Sequence, residues 1–233
     1  MNKAVYHIIK SIAGLILTFN ILMLLWVVLY AYFPVPTTKL MVIEGKEKEV
    51  RYKWVDLDEI NGSIQLAVMC AEDQQFLLHN GLDFQSIQDA MESNKSGGKV
   101  RGASTITQQV VKNVFLWPNR DWLRKGAELY FALLVEMVWS KERIMEVYLN
   151  VAEMGDGIFG VEAASSHYFK KSAVDLTSSQ AATLAALLPS PKRYANVMDG
   201  AYIKRRSQWI LGQMNQWGGK MTYDKSFVQE MIN

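Results

Sequence analysis

Two carboxylates, a run of hydroxyl and amide side chains and a group of cations are concentrated between residues 72 and 128 of this chain. They occupy three blocks, Glu72–Asp83, Gly102–Asn113 and Arg124–Glu128. Moving a sugar off a diphosphate needs a base for the incoming hydroxyl and positive charge for the departing phosphate. These residue types suit that chemistry, whereas core packing alone does not require them.

Glu72 is the candidate general base. It follows the apolar segment Ile64–Ala71 and begins a polar turn, so partial burial is expected to raise the pKa of its carboxyl group. An ordinary surface glutamate is the alternative interpretation. Asp73 is expected to bind substrate, and its other possible roles are a hydrogen-bonded or charge-coupled neighbour of Glu72 or a helix cap. His79 and Gly81 are expected to shape the turn.

A dense polar cluster stands at the start of a helix predicted over Ser104–Phe115. Free backbone amides and the helix dipole attract anions at such a position. A polar helix face is the alternative, although valines surround the polar residues. The side chains expected to bind substrate here are Ser104, Thr107, Gln108, Gln109 and Lys112, and Thr105 belongs to the same cluster.

Glu128 is the second candidate catalytic carboxylate. Its apolar surroundings predict burial, and a buried carboxylate must be paired or functional. It could hold a divalent cation, Mg or Mn, or act as an acid on the phosphate side; a salt bridge to Arg124 is the alternative. The cations expected to cradle phosphate are Lys112, Arg120, Arg124 and Lys125.

Several other motifs are discounted. Ser96–Lys99 fits a Ser-x-x-Lys pattern but lies in a Gly-Gly loop with no Lys-Thr-Gly elsewhere, and Glu136 and Glu142 are interpreted as helix-surface or capping charges. No P-loop, dinucleotide glycine motif or Cys/His cluster occurs, so no organic cofactor is expected, nor is a nucleic-acid partner. The single cysteine, Cys70, permits no disulfide within the chain and is expected to be buried.

The N-terminus is predicted to anchor the chain in a membrane. Residues 11–33 form the predicted transmembrane helix, since the apolar run spans about 33 Å as a helix and a hydrocarbon core is about 30 Å thick. A cleaved signal peptide is the alternative. Residues 1–10 are expected to be a cytoplasmic tail because they carry Lys3 and Lys10, which would put the rest of the chain outside the cytoplasm.

Beyond the anchor the pattern is mainly helical, and Thr177-Ser-Ser-Gln180 is a capping-box pattern ahead of an Ala/Leu run. Residues 34–53 are predicted to be a tether with a short strand near Leu40–Ile43, and residues 54–233 to be the catalytic domain. Trp122–Trp139 is apolar on more than one side and is predicted to be the central buried helix. Asn113–Trp122 is either a core loop or an exposed apolar flap at the membrane interface.

The blocks named above resemble the family 51 glycosyltransferases, the peptidoglycan polymerases. The resemblance covers about Ile64 to Asn196. Its motifs are Glu72-Asp-x-x-Phe-x-x-His-x-Gly, Gly102-x-Ser-Thr-Ile-Thr-Gln-Gln-x-x-Lys-Asn, Arg124-Lys-x-x-Glu, Lys141-x-x-Ile-x-Glu-x-Tyr-Leu-Asn150, Gly155 to Gly160, Ala163-Ala-x-x-x-Tyr-Phe169 and Ala181-x-x-Leu-Ala-Ala186. Gln180, the Arg193–Asn196 segment and the end of the chain soon afterwards are similar to the monofunctional subgroup.

The resemblance implies a lysozyme-like, two-lobed helical fold and polymerisation of lipid II into glycan, with inversion at the sugar carbon and release of undecaprenyl diphosphate. It implies that Glu72 takes the proton from the acceptor hydroxyl and that the cations hold the diphosphate. Ala127 stands where relatives often have lysine, so that phosphate contact is either missing or supplied by Lys125. Implied partners are lipid II, the nascent glycan, the membrane, and penicillin-binding and division proteins.

Two other functions stay open on the sequence. A lytic transglycosylase or muramidase shares the lysozyme-like fold and a catalytic glutamate, but it cleaves polymer and needs no phosphate cradle. A membrane-tethered scaffold for the cell-wall machinery would need no catalytic base at all.

Overall fold

The structure is a computed structural model that describes residues 3–95, 104–119 and 121–224. Two compact units divide the chain, one over residues 1–34 and the other over residues 35–233. The first unit consists of α1 (Lys3–Tyr32), which is long and apolar enough to cross a membrane by length and composition. The helix continues through most of the predicted cytoplasmic tail. Inside it, Thr18 and Asn20 donate hydrogen bonds to carbonyls one turn earlier, which satisfies their polar groups without water.

The second unit is mainly helical, as predicted. Its helices are α2 (Lys39–Glu44), α3 (Gly62–Glu72), α4 (Phe84–Lys95), α5 (Ile106–Phe115), α6 (Trp122–Val138), α7 (Lys141–Val151), α8 (Val161–Phe169), α9 (Ser178–Leu187), α10 (Pro191–Ala195) and α11 (Ala201–Gln216). Short 3₁₀ turns lie at Leu57–Glu59 and Ala173–Asp175. The strands β1 (Arg51–Tyr52), β2 (Glu153–Gly155) and β3 (Ile158–Phe159) form a sheet in the order β1-β3-β2, with β1 parallel and β2 antiparallel to β3.

The core is built around α3, α7 and α9. In α3 the residues from Ser63 to Cys70 are all buried, and α9 packs its alanines and leucines against α3 and α11. Cys70 lies in this core, as predicted, and burial raises the pKa of its thiol to about 12. The polar turn that follows Glu72 is therefore attached to the most buried helix of the unit.

Capping chemistry fixes where several helices begin. Thr105 and Thr177 each accept a hydrogen bond from the backbone amide three residues later, and Gln108 and Gln180 complete the two capping boxes. The capping box at Thr177 and the start of α5 next to Ser104 were both predicted from the sequence. A threonine cap thus sets the end of α5 that faces the Glu72 turn.

The segment predicted as a tether differs from expectation. The strand predicted near Leu40–Ile43 is wrong, because these residues belong to α2, which Thr38 caps by accepting from the Met41 amide. Val35, Thr38 and Met41 are buried, and the second compact unit begins at Val35. Local capping and burial decide this segment, whose short apolar run has no clear helical period.

The bounds predicted for α6 are correct, but its predicted place at the centre of the fold is wrong. Only Glu128, Phe131, Ala132 and Val135 are buried on it. The opposite face exposes an apolar row that we call the α6 stripe, consisting of Trp122, Leu129, Leu133 and Met137. These positions are spaced about one or two turns apart, so they share one side of the helix. Nearby, Phe115 and Leu116 are buried while Trp122 is exposed, so the Asn113–Trp122 segment is part core and part surface.

Candidate active site

Glu72 is the last residue of α3 and borders a cavity of about 380 Å³. The cavity lies between the end of α3, the start of α4, the start of α5 and one side of α11. Its lining residues are Cys70, Ala71, Glu72, Asp73, Gln74, Gln75, Asp83, Ser86, Ser104, Thr105, Trp209 and Trp217. A carboxylate that ends a buried helix is thus presented to a polar, solvent-connected space.

Burial raises the pKa of the Glu72 carboxyl above its usual value, as the sequence predicted. The hydrogen bond from Gln109 and the charges of Arg206 and Lys112 oppose this rise, whereas the charge of Asp73 adds to it. A carboxylate with a raised pKa is a stronger base than an exposed one. These surroundings suit a group that accepts a proton from a hydroxyl.

Gln109 fixes the position of the Glu72 carboxylate. Its Nε2 donates a hydrogen bond of 2.8 Å to Glu72 Oε2, and its Oε1 accepts one of 3.3 Å from the hydroxyl of buried Tyr148. Because the tyrosine hydroxyl donates to the oxygen, the amide nitrogen must face Glu72. Gln109 was predicted to bind substrate. In the structure its amide nitrogen contacts Glu72 and its amide oxygen contacts Tyr148.

Asp73 is held by the protein. His79 Nε2 lies 3.0 Å from both carboxylate oxygens, and the Ile106 amide donates to Oδ2 at 3.0 Å. The Gly81 amide donates to His79 Nδ1 at 3.1 Å, so that nitrogen is an acceptor and Nε2 carries the proton that bonds Asp73. Gly81 itself has φ of 85°, which favours glycine. The turn after Glu72 is therefore fixed to α5 through Asp73, as expected for the shaping role of His79 and Gly81.

Two residues predicted to bind substrate point into the protein. Gln108 is buried and accepts from the Thr105 amide at 3.0 Å, while Thr107 is fully buried and donates to Glu136 at 2.6 Å. The polar cluster at the start of α5 is therefore mostly structural. Ser104 differs from them, because it is exposed and lines the Glu72 cavity.

The interpretation of Glu136 as a surface charge is wrong. Its side chain is buried and accepts from Thr107 and from Lys141, whose ammonium lies 2.8 Å from it. Lys141 also donates to the His79 carbonyl at 2.8 Å, which links α6 and α7 to the turn after Glu72. The apolar residues around Glu136 could have indicated this burial. Glu142, in contrast, is exposed in the first turn of α7, as predicted.

Glu128 is buried and doubly paired. Its Oε2 accepts from Arg124 at 2.8 Å and its Oε1 from Lys125, so the predicted salt bridge to Arg124 is present. Within the part of the chain that the structure describes, Arg124 Nε is buried without a hydrogen-bond partner. Two cations therefore face one carboxylate, and Arg124 keeps a donor, Nε, that its pair with Glu128 does not use.

A second cavity of about 210 Å³ lies beside this ion pair. Its lining residues are Leu40, Lys112, Asn113, Leu116, Pro118 and Arg124. Two cations thus face a space that is otherwise apolar and amide-lined. Arg120, the remaining predicted cation, lies outside the described residues.

One side of α5 connects the two cavities. Thr105 borders the Glu72 cavity, Gln109 contacts Glu72, and Lys112 and Asn113 border the second cavity. These positions are four, seven and eight residues along from Thr105, so they lie on the same side of the helix. A base and a cationic site are therefore carried by one rigid element.

The arrangement at Glu128 does not fit a divalent cation, because both of its oxygens already accept hydrogen bonds from cationic side chains. Among the described residues, three acidic side chains with oxygens within 4.8 Å of one another are Glu44, Glu153 and Asp156. Lys48 and Lys192 form ion pairs with this group.

A family model described as Transglycosylase matches residues 38–215. A biosynthetic peptidoglycan transglycosylase of Bdellovibrio bacteriovorus is 50% identical over 212 residues, which cover 88% of this chain and 85% of the relative. One of the same description from Xanthomonas campestris pv. campestris is 53% identical over 170 residues, covering 73% and 69%. Another from Shewanella oneidensis is 52% identical over 170 residues, covering 73% of each. The region that matches the family model includes Glu72, Lys112 and Glu128.

Proposed function

The chain belongs to the transglycosylase family of peptidoglycan biosynthesis and is a glycosyltransferase that polymerises cell-wall glycan, and from this premise we propose which residues carry the reaction. Glu72 is the general base. Lys112 and Arg124, together with Arg120 and Lys125, neutralise the leaving diphosphate. The single observation that carries this assignment is the side of α5 that joins the Glu72 cavity to the cationic cavity.

The bond-making step follows from the position of Glu72. The acceptor is lipid II, whose GlcNAc 4-hydroxyl gives its proton to the Glu72 carboxylate as the oxygen attacks C1 of the lipid-linked sugar. The C1–O bond to the diphosphate breaks, and its electron pair leaves with undecaprenyl diphosphate. Attack from the side opposite the leaving group inverts C1. Gln109 keeps the accepting oxygen in place during this transfer.

The second cavity suits the leaving group. A diphosphate carries at least two negative charges, and Lys112 and Arg124 are the described cations that line this space. The unused Nε of Arg124 supplies a donor in addition to charge. We propose that Glu128 orients Arg124 and Lys125, and that any divalent cation in the reaction is carried by the diphosphate itself.

The residues predicted to bind substrate have different proposed roles. Ser104 lines the acceptor side of the Glu72 cavity, whereas Asp73 and Gln109 hold the turn and the base. Thr107 and Gln108 are assigned a structural part only, because both are buried against other protein groups.

We propose that the α6 stripe lies in the membrane interface. Trp122 is 93% exposed and Met137 79% exposed, although both are large and apolar, and they lie on one side of a helix whose other side carries Glu128. The substrate has a lipid tail and α1 is suited to span a bilayer, so contact with lipid would bring the diphosphate level with the cationic cavity. Lys3 and Lys10, near the start of α1, favour a cytoplasmic N-terminus and a catalytic unit on the outer side of the plasma membrane. Penicillin-binding and division proteins stay predicted partners.

A labelling experiment tests the membrane contact. Cys70 is buried, so a thiol-reactive, polarity-sensitive fluorophore will react with Met137→Cys in the full chain in proteoliposomes. The emission is expected to shift to the blue and to be quenched by lipids brominated in their chains. Val174→Cys, at another exposed apolar residue, is the matched control and should show neither effect. Identical emission from the two sites would refute the contact.

An activity assay separates polymerisation from cleavage. The full chain in detergent is given lipid II or purified sacculi. Polymerisation predicts long glycan and undecaprenyl diphosphate from lipid II and no soluble fragments from sacculi. Fragments from sacculi without polymer would instead identify a lytic enzyme, and the absence of both products would favour a scaffold.

A further inference from the structure

One wall of the Glu72 cavity is aromatic. Trp209 and Trp217 of the α11 region line it, and neither residue belongs to the motifs that carry catalysis. Trp209 is 44% exposed and Trp217 is partly exposed, so indole surface is available at the cavity. Exposed aromatic surface indicates a binding site when it faces a concave space.

The aromatic wall is held firmly in place. Arg206, Trp209, Gln213 and Trp217 are spaced by three, four and four residues, so they share one side of the α11 axis. The neighbouring side buries Ile203, Ile210 and Met214 in the core. Arg206 donates to the Ala71 carbonyl at 3.0 Å and Gln74 donates to Gln213 at 3.2 Å. Both bonds fix α11 to the residues on either side of Glu72.

Trp209 is also oriented by a cation. The guanidinium carbon of Arg206 lies 4.3 Å from the centre of the Trp209 ring. Burial raises the pKa of Glu72, and the charge of the same arginine opposes that rise. The position of the indole and the electrostatic environment of the base are therefore set by one side chain.

The cavity excludes a lipid chain as its occupant, because Glu72, Asp83, Gln74, Gln75 and Ser104 line it alongside the two indoles. A sugar ring fits both kinds of wall. Its C–H face packs on an indole, and its hydroxyl and acetamido groups exchange hydrogen bonds with carboxylates, amides and a serine.

We propose that Trp209 and Trp217 form a stacking subsite for the acceptor disaccharide, which holds its 4-hydroxyl against Glu72. This inference rests on the proposed role of Glu72 as the base. Trp209 and Trp217 are binding residues for the acceptor, and Arg206 is a positioning residue that acts through Trp209. The subsite binds sugar on the acceptor side and leaves the diphosphate to the second cavity.

A binding experiment tests the subsite apart from chemistry. The full-length Glu72→Gln variant in detergent is dialysed against radiolabelled lipid-free GlcNAc-MurNAc-pentapeptide. Adding Trp209→Ala or Trp217→Ala is expected to weaken binding about tenfold, and Trp209→Phe to restore most of the affinity. Trp54→Ala is the matched control, because Trp54 also stacks on an arginine, Arg143, but does not line the Glu72 cavity. Thermal unfolding confirms that each variant is folded.

The outcomes separate the two proposals. Unchanged affinity in both alanine variants, or a Trp209→Phe variant as weak as Trp209→Ala, would overturn the subsite. Continued polymerisation by Glu72→Gln alone would overturn the base and leave the binding result standing. Loss of affinity in Trp54→Ala equal to that in Trp209→Ala would show a general effect on folding and would also overturn the subsite.

Discussion

Gln109 Nε2 donates a 2.8 Å hydrogen bond to Glu72 Oε2, from the middle of α5 to the last residue of α3. The bond connects the helix that carries the cationic site to the residue that accepts the proton. It also stabilises the ionised carboxylate against the effect of burial. Base strength and base position therefore depend on the same contact.

Replacing Gln109 with leucine should move the pH dependence of the reaction. Loss of the hydrogen bond raises the pKa of Glu72 further, so the acidic limb of the rate profile should shift to higher pH, and the rate at neutral pH should fall. The measurement is polymerisation of lipid II between pH 5 and 9. Gln88→Leu, at an exposed position on α4, should retain the original profile. An acidic limb that does not move would argue against control of the base by Gln109.

Glu72 should lower the stability of the folded chain at neutral pH. Its folded pKa is raised, so the folded state holds the proton more tightly than the unfolded state, and the stabilising contribution is lost as pH rises through the folded pKa. The glutamine in Glu72→Gln is neutral at every pH, so the variant does not lose this contribution to stability as pH rises. The variant should therefore unfold at a higher temperature than the original chain at pH 8, with a difference that shrinks towards pH 4. A variant that is less stable at pH 8 would contradict the electrostatic account.

Lys141 should matter for stability more than an exposed lysine does. Lys141→Met leaves Glu136 buried without its cation, which costs about 3–5 kcal/mol of unfolding free energy. Lys192→Met removes a half-exposed ion pair with Glu44 and should cost about 1 kcal/mol or less. Denaturant unfolding measures both. Adding Glu136→Gln to Lys141→Met should recover part of the loss, and additive losses would show that the pair is not coupled.

Lys112 should act on the donor side without affecting the fold. It is exposed at the second cavity, so Lys112→Gln should unfold like the original chain while polymerisation falls about 10- to 100-fold, the loss expected for one charge-assisted contact. Lys171→Gln, at an exposed lysine after α8, serves as the control for general charge effects. Equal activity of the two variants would remove Lys112 from the phosphate site.

The sequence predicts well what depends on local patterns. The caps at Thr105 and Thr177, the burial of Cys70, the pair between Arg124 and Glu128, and the raised pKa of Glu72 all follow from neighbours in the chain. Contacts between distant segments are harder. Tyr148 meets Gln109 across 39 positions, and Asn150 bonds both backbone groups of Val55 across 95 positions.

The polar motifs illustrate the same limit within the site. Thr107, Gln108 and Gln109 are consecutive, yet they face Glu136, the Thr105 cap and Glu72 in turn, because successive helical residues point in different directions. Helical spacing alone could have predicted that Gln109 and Lys112 face a different side of α5 from Thr107. The partners of Thr107, and the indoles at the Glu72 cavity, required the packing of α6 and α11 to be known.

The central claim is that Glu72 takes the proton from the acceptor hydroxyl. The most direct measurement is the rate of lipid II polymerisation by full-length Glu72→Gln in detergent, beside Glu142→Gln as an exposed carboxylate control. The account predicts a loss of roughly 10²–10⁴-fold for Glu72→Gln and little change for the control. A Glu72→Gln variant that is folded and polymerises at the original rate would contradict it.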